Sequence, residues 1–191
     1  MFASLSRRRF LALSAAAAAG ATWFDVPRVL AAANLDDPKD AWGGFPVGVQ
    51  SYSLRNFSAE EAIRHLQGMG VHYVELFKKH LDPDGTPEQD AAVKKLVTAA
   101  GITISAHGVN DFTKDHEANK RLFDFAKRIG FKTITANPRP EAFESLDKLV
   151  AEYDIRIAIH NHGPGALYDK LAGLQKAIAG HDKRIGACVD C

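Results

Sequence analysis

Five side chains stand out for the chemistry that their types and spacing allow: Glu75, His107, His160, His162 and Asp190. Each closes a short β-forming run. Carboxylate together with imidazole is the ligand set of zinc, manganese or iron(II), and of magnesium where oxygen dominates. A divalent ion so held can polarise a carbonyl and keep adjacent hydroxyls in place. The same groups can serve as acid and base to move a proton next to a carbonyl. Taken singly they carry less. A lone strand-end histidine is commonly a hydrogen-bonded structural residue, and an ion pair with a lysine would also account for a glutamate inside an apolar strand. Gln50, and Asn137 ahead of Pro138, are weaker candidates for touching a ligand. Convergence carries the reading.

The elements that must position these groups are best seen around Ile157 to Gly163, I-A-I-H-N-H-G. Strand side chains alternate between faces, so Ile155, Ile157 and Ile159 share one side while Ala158, His160 and His162 share the other. An apolar back, a small-residue front and a polar tip suit a site at one end of a parallel sheet. From Val47 onward the same unit recurs: a β-rich run, a polar loop, an amphipathic helix, then glycine. The runs V-G-V-Q-S-Y, V-H-Y-V-E-L-F, I-T-I-S-A-H-G, F-K-T-I-T-A-N, I-R-I-A-I-H-N-H and R-I-G-A-C-V-D start roughly 24 to 31 residues apart, the spacing of βα units.

The helices between them carry explicit signals. Ser58-Ala-Glu-Glu61 and Thr86-Pro-Glu-Gln89 read as capping boxes, the second with proline at its first helical position. Apolar stripes run through Ala118, Leu122, Phe125, Ala126 and Ile129, then through Phe143, Leu146, Val150 and Tyr153, and finally through Leu167, Leu171, Leu174 and Ile178. Helices with one stripe need a sheet to lie on, which gives a parallel α/β fold. Sorting each strand by face puts small or polar residues together: Gly48 and Gln50, Glu75, Thr103, Ser105 and His107, Thr133, Thr135 and Asn137, Ala158 and His160, Gly186, Cys188 and Asp190. A doubly wound sheet would be apolar on both faces. One polar face fits a (β/α)8 TIM barrel, with its functional groups at the carboxyl end of the strands. Such a barrel takes about 250 residues and eight strands, so residues 47–191 are expected to form a partial barrel, cut short after strand six.

The preceding residues read differently. Ser6-Arg7-Arg8-Arg9-Phe10-Leu11, an alanine-rich apolar stretch and Ala31-Ala32-Ala33 resemble a twin-arginine export signal over residues 1–33, followed by a linker at 34–46. The expectation is an exported, periplasmic protein with no stable membrane span once the signal is cleaved. Cys188 and Cys191 form a C-x-x-C on a strand, where the two would point to opposite faces, so a redox role is not expected. The net charge of +1 supplies no global basic field for nucleic acid.

V-G-V-Q-S-Y-S-L-R, Y-V-E-L-F, A-H-G-V, I-T-A-N-P, I-A-I-H-N-H-G-P and A-C-V-D together resemble the sugar phosphate isomerase/epimerase family, the xylose isomerase-like barrels related to endonuclease IV. The resemblance runs from Val47 to the end. It implies a divalent metal ion (zinc, manganese, magnesium or iron) held by a glutamate on strand five, an aspartate on strand six, a histidine on strand seven and a glutamate on strand eight. Asp190 matches the strand-six ligand, His160 stands where the glutamate of strand five belongs, and the other two positions fall beyond Cys191. Family epimerases use the two glutamates for proton transfer on opposite faces of the sugar. Histidine at the first is associated with exported relatives that act on sugars or keto-glycosides, including lyases and hydrolases. The implied roles are metal ligands for Asp190 with His160 or His162, proton transfer or hydroxyl positioning for Glu75, His107 and His162, and contact with a small carbohydrate for Gln50 and Asn137. A non-catalytic carbohydrate-binding protein on a decayed barrel is the competing expectation. DNA repair, by analogy with endonuclease IV, fits neither export nor the near-neutral charge.

Overall fold

A computed structural model describes Trp42 and residues 45–190. The expected export signal at 1–33, most of the expected linker and Cys191 lie outside the described residues. Residues 46–190 fall within one compact unit. Its strands are β1 (Gly48–Gln50), β2 (Tyr73–Leu76), β3 (Thr103–Phe112), β4 (Thr133–Pro138), β5 (Arg156–His160) and β6 (Ile185–Cys188). The helices between them are α1 (Ala59–Gly68), α2 (Pro87–Ala99), α3 (His116–Ile129), α4 (Phe143–Tyr153) and α5 (Leu171–Ile178), and a 3-10 turn, Ser51–Leu54, follows β1. All pairings are parallel, in the order β1-β2-β3-β4-β5-β6. Crossovers of one hand between consecutive strands put every helix on the same face, the winding of a barrel.

Local chemistry starts and stops the helices where expected. Ser58 and Glu61 form a reciprocal capping box on α1, as Thr86 and Gln89 do on α2 with Pro87 behind the cap. Asp115 caps α3, and Gly130 ends it at φ 105°, a left-handed conformation open to glycine at little cost. On the helix-facing side Val74, Leu76, Ile134, Ala136, Ile157, Ile159 and Ile185 are buried against Leu66, Phe123, Leu146, Val150 and Leu174. Burying each large side chain contributes roughly 1.5–3 kcal/mol.

The third stripe differs from expectation. Leu167 and Leu171 are 45% and 55% exposed, and Leu174 is the buried leucine of α5. Gly163-Pro164-Gly165 opens a turn instead of a helix. That turn is closed by His162 N–H donating to Tyr168 O and by the buried Tyr168 hydroxyl donating to Pro138 O at 2.6 Å.

A second difference decides where a candidate residue goes. Val74 pairs with Ile104, but Glu75 pairs with Ala106, so Ser105 is an extra residue in β3. Its hydroxyl donates to Val74 O at 3.1 Å. One inserted residue moves every later side chain to the other face. His107 therefore stands opposite Leu76 and Ile134, in the apolar layer, and not beside Glu75. Its ring packs on Phe125 and Phe131, and its Nε2 lies 2.9 Å from Leu81 O. The expected catalytic role of His107 meets a residue that is 1% exposed and turned away from the polar face. Asn110 Nδ2, a donor, faces Nδ1 at 3.2 Å, which makes Nδ1 the acceptor and Nε2–H the donor.

Burial lowers the His107 pKa from 6.5 to about 4, against the opposing pull of Leu81, Asn110 and Asp82. The unfolded chain takes up this proton near 6.5 and the folded chain does not, so the stability is present above 6.5 and lost as pH falls toward 4. The full loss comes to about 3 kcal/mol. Chemical denaturation across that range should give a shallower pH dependence for His107→Gln, by one proton, than for the unaltered chain. Equal slopes would assign the uptake to another group.

Candidate active site

The polar face is built from the other parity of each strand. β1 contributes Gln50, β2 Glu75, β4 Thr135 and Asn137, β5 Ala158 and His160, and β6 Gly186 and Cys188. Gln50 pairs in register with Glu75, Thr135 with Ala158, and His160 with Cys188. The functional groups thus come from successive strands on one side of one sheet.

Glu75 is half-buried, and its Oε1 has no hydrogen-bond partner. Burial raises its pKa above the usual carboxylate value, and the Thr135 and Gln50 side chains only partly offset this by hydrogen bonding to the charged form. Lys78 and Lys79 do not pair with it: Lys78 faces Asp82 and Asp84, and Lys79 donates to Arg55 O at 2.7 Å. The carboxyl group is poised to hold a proton at a higher pH than an exposed glutamate. Burial first, and then the charges of Glu75 and Asp190, keep the Cys188 thiol protonated.

His160 and His162 lie edge to face with ring centroids 4.5 Å apart. Burial is the main cause that lowers the His160 pKa; His162 adds to it and Asp190 opposes it. Neutral imidazole is the form that binds metals or takes up a proton. Its Nε2 is 3.7 Å from Asp190 Oδ2, and its buried Nδ1 has no partner. Asp190 is held there through its backbone. Its N–H donates to Asn161 Oδ1 at 2.8 Å, and Asn161 Nδ2 donates to Asp190 O at 2.9 Å. Asn161 was not among the expected residues, because its side chain contacts backbone and sits between the two more conspicuous histidines.

Asn137 has a buried, unpartnered Oδ1, while its Nδ2 lies 3.5 Å from Asp111 Oδ1. Asp111 reaches this face because a second irregularity in β3, between His107 and Asn110, brings it opposite Asn137. The run I-T-I-S-A-H-G stops at Gly108, so Asp111 fell outside the expected strand, which continues to Phe112. Tyr52, 54% exposed beside Phe77 and under the Arg55 guanidinium, adds an aromatic surface just past the carboxyl end of β1. Gln50 is already engaged, with Oε1 accepting from Tyr52 N–H at 2.6 Å and Nε2 donating to Gly108 O at 3.2 Å.

A divalent ion fits this donor set in kind. His160, with an orphaned ring nitrogen, and Asp190 are an imidazole and a carboxylate within reach of each other. Among the described residues no three His, Cys, Asp or Glu side chains come together as a metal-holding group. Among the described residues, too, no helix is long and apolar enough to cross a membrane.

No protein-family model matches the sequence, and no curated protein matches it. Solved structures do. A protein from Parabacteroides distasonis is 25% identical with a TM-score of 0.65, over 75% of this chain and 62% of its own. The 3-keto-D-glucoside 4-epimerase of E. coli is 15% identical with a TM-score of 0.56, over 74% and 67%. A xylose isomerase-like TIM barrel protein from Mycobacterium smegmatis, in complex with magnesium, is 13% identical with a TM-score of 0.54, over 76% and 64%. The chain thus spans 62% to 67% of the length of these structures. With six parallel strands in sequential order, the fold of residues 47–190 is that of the xylose isomerase-like TIM barrels.

Proposed function

We propose that this chain belongs to a metal-dependent enzyme that moves a proton next to the carbonyl of a carbohydrate or keto-glycoside, as an isomerase or epimerase. The observation that carries this is Glu75, a half-buried carboxyl with a raised pKa and no cationic partner among the described residues, on the same face as His160 and Asp190. The sugar epimerase among the structural relatives supports the substrate class. The magnesium complex among them supports the use of a metal.

Each residue has a share. Ionised Glu75 takes the proton from the carbon beside the carbonyl, and protonated Glu75 returns it to the former carbonyl carbon, so that the carbonyl moves one carbon along, with Thr135 and Gln50 steadying the charged form. Asn137 Oδ1 accepts from a sugar hydroxyl, and the exposed Tyr52 ring offers its face to the C–H side of the sugar. His160 and Asp190 would hold a divalent ion, whose contribution is to polarise the carbonyl and fix adjacent oxygens. His162, exposed and in contact with His160, carries the hydroxyl proton from the oxygen that becomes the new carbonyl to the oxygen of the old one. The twin-arginine pattern at the start of the chain supports export to the periplasm.

Three measurements test this. Glu75→Gln should cut solvent-deuterium uptake into a 3-keto-glucoside by about 100-fold or more. In the unaltered chain uptake should rise with pH through a midpoint above the ordinary carboxylate value of 4.5. Unchanged uptake in the variant removes Glu75 from the chemistry. His160→Ala should lower both metal content and uptake, and full metal occupancy would take His160 out of the ligand set. Replacing Arg7 and Arg8 by lysine should leave the protein in the cytoplasmic fraction; normal export would overturn the assignment of the signal.

A further inference from the structure

We propose that Gln50 is a positioning residue: its side-chain amide ties the turn after β1 to β3 alongside Glu75, and thereby fixes the orientation of the Glu75 carboxyl group. The inference rests on the reading of Glu75 as the proton-transfer group. It reassigns Gln50, whose expected part was to touch substrate.

Register makes the case. Gln50 lies beside Glu75, and Glu75 beside Ala106, so β2 separates Gln50 from β3. Yet Gln50 Nε2 donates to Gly108 O, on β3, at 3.2 Å. Neighbouring strands are about 4.8 Å apart, so this bond crosses two strand spacings, about 10 Å. The Gln50 side chain is on the polar face and starts beside Glu75 in register, so it makes that reach alongside Glu75, toward the carboxyl ends of the strands. Gly108 packs closely against β4, where a Cβ would come within 2.5 Å of Thr135 O and 2.6 Å of Thr135 Cβ. At the other end of the amide, Oε1 accepts from Tyr52 N–H at 2.6 Å and caps the 3-10 turn.

An amide has two N–H donors and one carbonyl acceptor. One donor goes to Gly108 and the acceptor to Tyr52, which leaves one N–H. The carboxyl group beside it is Glu75, whose charged form Gln50 stabilises. Glutamine is the side chain that meets all three demands: methionine has the length without the polar atoms, and glutamate can accept from Tyr52 but cannot donate to Gly108 or Glu75.

The test reads the carboxyl group directly. The 191-residue chain is labelled with carbon-13 at its glutamate carboxyls, and the Glu75 signal is identified by its loss in Glu75→Gln. Its titration midpoint should move up in Gln50→Met, which removes the donor, and further up in Gln50→Glu, which adds a like charge. Thr135→Val should also move it up, which shows that the signal responds to a lost neighbour. The Tyr52 amide signal should shift in Gln50→Met and stay near its place in Gln50→Glu. A Glu75 midpoint unchanged in both Gln50 variants, with the dispersed amide spectrum retained, overturns the proposal; if Gln50→Met does not fold, Gln50→Glu decides by the same readout. A midpoint that moves while Glu75→Gln keeps its deuterium uptake supports the positioning role and removes the acid–base reading alone.

Discussion

Sequential parallel pairing is the constraint on which everything else here depends. With strands taken in chain order, every helix goes to one side of the sheet, and the apolar requirement goes with it. Val74, Leu76, Ile134, Ala136, Ile157 and Ile159 satisfy that requirement. The opposite parity is then free to carry groups that a two-sided core would not tolerate. Glu75, Thr135, Asn137, His160 and Cys188 occupy that side. The distribution of greasy and polar residues along each strand is therefore one fact seen from two faces, and the site exists because the helices are elsewhere.

Glu75 and His107 show how the two faces spend stability in opposite directions of pH. His107, neutral in the apolar layer, supports the fold above 6.5 and less so toward 4. Glu75 has a raised pKa, so its contribution is fully present below the ordinary value of 4.5 and falls as pH rises through its own midpoint. The imidazole is a packing residue whose protonation opposes the fold. The carboxyl group, proposed as the acid–base group, is one whose ionisation does. A buried carboxylate that weakens the fold at working pH is the usual mark of a group retained for chemistry.

Much of this was legible in the sequence. Alternation in I-A-I-H-N-H separates Ile157 and Ile159 from Ala158 and His160, and the structure keeps them apart. Glu75 could be found because a carboxylate inside Y-V-E-L-F has no apolar explanation. His107 could not be placed, because an inserted residue such as Ser105 leaves no trace in residue types yet reverses the parity of all that follows. Asp111 was missed for a different reason: the β-rich run in the sequence ends at Gly108, whereas the strand continues to Phe112, and a second irregularity returns Asp111 to the polar side. Leu167 and Leu171 continue a helical spacing in a segment where Gly163-Pro164-Gly165 has already bent the chain away, so periodicity outran the helix. Asn161 and Gln50 were obscured for another reason: their partners are backbone atoms 29 and 58 residues distant, and backbone has no letter in the sequence.

The bracket between Asn161 and residue 190 has a consequence for how such a site can change over evolutionary time. Both of its bonds engage main-chain atoms of residue 190 and neither engages the carboxylate. The position beside His160 is thus held ready whatever side chain it bears. A substitution there would alter donor type, charge or reach without disturbing the scaffold, so one backbone seat can be refitted for a different ion or a different sugar by a single codon.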